Sequence, residues 1–217
     1  MHFVDAWLQL TALDAARMLV PVVFLLLAVF VTGRASARIA AIGIAASLPF
    51  LRELDVTRPL LAGWIALWLA IAWQSGVVSA SSKRAITTRI GGMEPGGVGL
   101  MVGATLLVLL IASVARQDLD PDASRRASYG LLVLSLGLVH LMLRRNLLRS
   151  AVAFGALGLG IQILEGAARQ ADVARVSPSP GILIATGAAA ALTARLAVTR
   201  ERAAGTPWVS DAHDLRD

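Results

Sequence analysis

The sequence predicts an all-α fold: a polytopic membrane helix bundle of about seven transmembrane helices, with the N-terminus outside and the C-terminus in the cytoplasm. Three observations carry that prediction. Of 217 residues, 57% are hydrophobic and 16% charged, and the mean hydropathy is +0.71, too apolar for an ordinary soluble domain. The apolar residues fall into runs close to the roughly 20 residues that a bilayer-crossing helix needs. The remaining charges sit in short clusters between those runs, with more cations on alternate clusters than on the others.

Runs bounded by charge, Pro or Gly cover 15–32, 39–51, 59–80, 97–114, 129–143, 151–168 and 181–198. The second is short and meets Pro49, so it must extend into its flanks if it spans. In the third, Trp64 and Trp68 share a face at i, i+4 and Trp73 lies near the end; a packing surface or an aromatic belt accounts for all three. The Gly-rich stretch 89–99 lacks the Gly-Lys-Ser/Thr ending and the preceding strand of a phosphate loop, and reads as a flexible cytoplasmic turn before the fourth run. The sixth and seventh runs are rich in small residues: Ala156 and Gly160 have small-xxx-small spacing, and 185–194 is almost wholly small. Such faces let helix backbones approach closely where the hydrophobic effect cannot act between helices. The stretch 173–181 is an external connector that stops one helix and starts the next.

Charge gives an independent check on the count. With seven spans, twelve of the 20 Lys and Arg residues, among them Arg34, Lys83 and Arg144, fall on one side and eight on the other. Acids reverse the contrast, five against nine. Cations accumulate on the cytoplasmic side of short loops, which places the C-terminus inside, and removing the second span would scramble the alternation. The sequence pI near 11.3 does not indicate a nucleic-acid partner. The cations are Arg except for Lys83 and lie in short clusters, which suits topology signals and contacts with the lipid bilayer.

Several chemistries are excluded. Without cysteine the chain can hold no thiolate-ligated cluster, disulfide or cysteine zinc site, and His2, His140 and His213 lie too far apart in sequence to form a close-spaced metal pair. No cofactor, metal or catalytic centre is expected. The N-terminus offers no basic segment and clean cleavage site, so no removed signal peptide is expected. Ionisable groups deep in a membrane usually mark ion pathways, yet no Asp, Glu or Lys falls near the middle of a run. The deepest polar residues are His140, Glu165 and Gln74. His140 and Glu165 are the candidates for a proton path. A lone His also commonly bonds a neighbouring helix, and Glu165 stands at i, i+4 from Arg169, as an interfacial pair would.

The stretch "RRNLLR", Arg144 to Arg149, joins the fifth and sixth runs with His140 upstream. Arg144, Arg145, Asn146 and Arg149 are the candidates for a cytoplasmic turn that contacts lipid phosphates or a partner loop, because a guanidinium fork can hold a phosphate or carboxylate bidentately. The same cluster also serves as a plain topology signal. This order, with a further helix and the short polar tail "WVSDAHDLRD", resembles the hydrogenase-4 component E family. The C-terminal three helices of that family are similar to the K subunit of respiratory complex I and to the C subunit of multi-subunit sodium/proton antiporters. The resemblance covers about 128–217 at the motif level. Over 1–119, a separate N-terminal four-helix membrane region, only the helix pattern agrees. It implies a bacterial inner-membrane subunit without a catalytic centre, partnered by antiporter-like and hydrogenase-like membrane subunits of a hetero-oligomeric complex. In relatives an intramembrane Glu follows the Arg-Asn pair by about a dozen residues, which here falls at Gly158, and an acid early in the last helix falls near Gly187. The chain is therefore expected to pack and assemble such a complex with its own proton-path acids lost. The alternative is a stand-alone small-molecule transporter or exporter, which requires a polar mid-membrane cavity and broken helices.

Overall fold

Helix ends follow local chemistry more closely than hydropathy does. In a computed structural model, which describes residues 11–31, 34–47, 51, 56–77, 105, 108, 112, 119–142, 147–171 and 180–204, all regular structure among those residues is helical. The helices are α1 (Ala12–Phe30), α2 (Arg34–Ala46), α3 (Arg58–Val77), α4 (Pro121–Met142), α5 (Leu147–Gln170) and α6 (Gly181–Ala204). The expected run 97–114 lies outside the described residues except for Thr105, Val108 and Ala112, each helical. The Gly-rich stretch 89–99, Arg144, Arg145, Asn146 and the tail from 205 onward also lie outside them.

Two elements begin well before their apolar runs. α4 starts at Pro121, whose missing N–H is no loss in a first turn, and Asp122 there favours the positive end of the helix and pairs with Arg125. The charged first two turns carry the helix beyond the apolar run at 129–143. α2 likewise starts at Arg34 and has 13 residues, ending before Pro49. α1 continues through Pro21, a break tolerated in apolar helices whose neighbours satisfy the freed backbone.

Contacts between helices fix their relative directions. Gly43 of α2 packs on Phe24 of α1 while Ser36 Oγ donates to Ala28 O at 2.5 Å, so these two helices are antiparallel. Gly130 meets Gly160 and Leu164, and Gly137 meets Ala153 and Leu157, which makes α4 and α5 antiparallel. Trp68 of α3 faces Gly155, Trp64 faces Gly187, and Gly158 faces Thr186; α3 therefore runs against α5 and alongside α6. His140 reaches Leu25 and Arg149 reaches Val31, so α1 runs with α4. At the opposite end of the bundle the Tyr129 hydroxyl meets Ser47, just past the C-terminus of α2. In all, α1, α3, α4 and α6 share one direction, and α2 and α5 take the other.

The core runs between these helices through Leu25, Ile44, Trp68, Tyr129, Leu159 and Ile163. α5 and α6 are long and apolar enough to cross a membrane, and Met18–Phe30 and Ala35–Ala46 are shorter apolar segments. α5 is largely enclosed, which a core helix of any protein could be. α6 is not. It buries Ala190, Ala194 and Ala197 but turns Ile184, Leu192 and Leu196 outward, the last two more than 60% exposed. α1 likewise presents Leu19, Val23, Leu26, Leu27 and Phe30 on its outer face. Apolar surface of this extent is costly in water and costs nothing against lipid tails.

Candidate functional site

Three glycines within six positions of α5, Gly155, Gly158 and Gly160, each admit a different neighbouring helix. A Cβ on Gly155 would run into the indole of Trp68, and one on Gly158 into the Thr186 side chain. At Gly160 it would lie 2.7 Å from Leu134 N and 2.9 Å from Gly130 O, both backbone atoms of α4. Successive residues turn by about 100° around a helix, so these positions point in three directions. The run 153–160 was expected to present small faces for packing; it does so toward α3, α4 and α6 at once. Trp64 and Trp68, expected on one face of α3, stack edge to face with centroids 5.6 Å apart and are buried. Trp73 is 75% exposed near the end of the helix.

Of the two positions where the resemblance places acids, Gly158 is filled by a neighbouring side chain and Gly187 is lined by two. Thr186 is held over Gly158 by a 2.6 Å hydrogen bond from its hydroxyl to Ile182 O. At Gly187 a Cβ would stand 3.4 Å from Trp64 Cζ3 and 3.5 Å from Leu67 Cδ2, ordinary van der Waals contact with two side chains. At Gly158 there is no room for a carboxylate while Thr186 stands over it.

His140 is fully buried, and its Nε2 lies 3.0 Å from Leu25 O on α1; as a hydrogen bond this makes the ring nitrogen the donor. Its Nδ1 has no partner among the described residues. Arg149 donates from Nη2 to Val31 O, just beyond the C-terminus of α1. A cation in the first turn of α5 opposes that helix's own dipole, but the same cation satisfies an orphan carbonyl at the negative end of α1. The location of Arg149 thus follows from α1. Leu25 and Val31, 115 and 118 positions away from their partners, could not have been paired with them from sequence spacing.

Glu165 lies at the other end of α5. It accepts from Gln162 Nε2 at 3.2 Å, and its Oε1 is 3.9 Å from Arg169 Nε. Its neighbour Leu164 touches Gly130, ten residues and about 15 Å of helix from His140. The two proton-path candidates are therefore not brought together. Among the described residues no three His, Asp or Glu side chains converge in a way that could hold a metal ion. What the assembled residues can do chemically is dock helices: glycines supply the close approach, and His140 and Arg149 tie the end of α1 to the α4–α5 pair. Gly155 and Ser36 were the participants least evident beforehand; the signal for Gly155 was the run of glycines itself. Comparison with protein-family models, with curated proteins and with solved structures finds no match.

Proposed function

We propose that this chain is a multi-pass subunit of the membrane arm of a hydrogenase-like or ion-translocating respiratory complex of the bacterial inner membrane, similar to hydrogenase-4 component E, and that it holds neighbouring subunits in place without carrying protons itself. The observation that supports the second half most directly is the filling of Gly158 by Thr186. A side chain that relays protons needs space and water around it, and Thr186 occupies the space that an acid at Gly158 would need. Membrane insertion is supported by the outward-facing apolar side chains of α1 and α6 and by two helices of spanning length. The seven-span count draws on the shared direction of α3 and α4, which are consecutive among the described helices. A further crossing between them, the run 97–114, returns the chain to the side where α4 begins. A transporter would need a polar cavity at the level where the α5 glycines instead close three helix contacts.

Purification of the tagged chain from its native membranes in mild detergent, followed by mass spectrometry, tests the reading. Large antiporter-like and hydrogenase-like membrane subunits should co-purify in fixed stoichiometry. Recovery of the chain alone, as a monomer or homodimer with substrate-dependent transport after reconstitution, would replace the subunit reading with that of a transporter.

A further inference from the structure

α3 and α6 are parallel and part toward their C-terminal ends, leaving a groove of about 470 Å³ between them. Its walls change character along its length. Leu67, Ala70 and Ile71 of α3 and Ala191 and Ala194 of α6 line the part nearer the middle of the bundle; Gln74, Arg195, Thr199 and Arg202, with Val198 among them, line the end. On α6 the three polar positions recur at i, i+4 and i+7, one stripe on one face, and the arginines stand about 10.5 Å apart along the axis. Thr199 donates its hydroxyl to Arg195 O at 2.9 Å, which leaves the two guanidinium groups and the Gln74 amide as the donors facing the groove. The ion pairs Arg125–Asp122 and Arg169–Glu165 lie at the opposite end of the bundle. A volume of this size is within the range of about 300–1,000 Å³ typical of ligand sites.

An apolar trough that ends in two arginines and an amide matches a molecule with an acyl chain and an anionic head. From Gly181 to Arg195 the helix rises about 21 Å, short of the roughly 30 Å hydrocarbon thickness, so Arg195 lies below the headgroup level and must reach up along the groove to charge or water. We propose that the groove between α3 and α6 binds an anionic phospholipid, with its phosphate between Arg195 and Arg202 beside Gln74 and the first part of one acyl chain along Leu67, Ile71, Ala191 and Ala194. Arginine suits this phosphate because its planar fork donates two parallel hydrogen bonds. The lipid closes the side of the bundle where the groove lies between α3 and α6, a seam that no side chain among the described residues fills. The proposal rests on the membrane location above, and on nothing about the identity of the complex.

The test is native mass spectrometry of the purified, delipidated chain in its complex, titrated with phosphatidylglycerol, with phosphatidylcholine of the same chains, and with inorganic phosphate. Carbonate extraction of the source membranes reads insertion separately, so a chain that fails to insert is distinguished from one that inserts without binding lipid. Phosphatidylglycerol should bind at least tenfold more tightly than phosphatidylcholine. The double substitution Arg195→Gln, Arg202→Gln should abolish that preference, while Arg58→Gln, at the start of α3, should leave it intact. Ala194→Phe, which fills the apolar part without changing charge, should weaken phosphatidylglycerol binding tenfold or more and provides the test if the double variant does not fold. Equal affinity for both lipids, a preference unchanged by both groove variants, or displacement of phosphatidylglycerol by millimolar phosphate would overturn the proposal.

Discussion

At the scale of single residues, Gly158 makes the sharpest demand. The Thr186 hydroxyl is bonded at 2.6 Å to Ile182 O, so the side chain that a new Cβ would meet cannot swing aside without losing that bond. Overpacking of this kind costs roughly 1–3 kcal/mol. Gly158→Ala should therefore lower stability by that amount in a denaturant titration in detergent micelles, and Thr186→Ala alone should cost less than about 1 kcal/mol, the usual worth of one such hydrogen bond. The double variant should recover most of the loss, because the clash and its cause are removed together, and the interaction energy of the cycle should reach about 1 kcal/mol or more. Additive losses would mean that the two helices do not meet at this pair. The residue type was visible in advance, since a run of glycines announces close packing. Its consequence was not visible, because which helix each glycine admits depends on angles around α5 and on partners 26 to 87 positions away.

Elements show a matching division. The apolar runs located the helices, but the start of α4 was set by groups that hydropathy ignores, Pro121 and Asp122. The attachment of α1 through Leu25 and Val31 was hidden for a related reason, since a backbone carbonyl carries no sequence signature. Where two elements meet backbone to backbone, the effect of a side chain becomes a property of the helix pair. At Gly160 the obstacles are Leu134 N and Gly130 O, which cannot rotate away as a threonine might. Gly160→Val should push α4 off α5 and destabilise the bundle by more than Gly158→Ala does, with loss of the monodisperse peak on size exclusion. Gly63 is the internal control: it lies mid-helix in α3 with nothing within 4 Å of a Cβ, so Gly63→Ala should be neutral or stabilising by up to about 1 kcal/mol through helix propensity. If Gly160→Val and Gly63→Ala behaved alike, the closeness of α4 and α5 would not be contributing to stability.

For the molecule as a whole, the question is how many times the chain crosses the bilayer, and helix direction constrains the answer without recourse to hydropathy. Antiparallel neighbours α4 and α5, α3 against α5, and α6 alongside α3 together require α3 and α4 to begin on the same side. If the helices cross the bilayer as proposed, the number of crossings between Val77 and Pro121 is odd, and a single one matches the apolar run at 97–114. Because the natural chain has no cysteine, each introduced thiol reports on one place only. Thr57→Cys and Asp120→Cys mark the starts of α3 and α4 and are exposed, as are Pro180→Cys before α6, Ala35→Cys in the first turn of α2 and Ala203→Cys at the end of α6. With an impermeant maleimide on intact cells stripped of their outer membrane, Thr57→Cys, Asp120→Cys and Pro180→Cys should react, and Ala35→Cys and Ala203→Cys should react only after permeabilisation. Reversal of all five would keep the seven crossings and invert the orientation, which would mean that the twelve-to-eight excess of cations had been outweighed during insertion. Opposite reactivity of Thr57→Cys and Asp120→Cys would be the more serious result. It would make the intervening crossings even in number, and no arrangement of the six described helices with their observed contacts could then lie in a single bilayer.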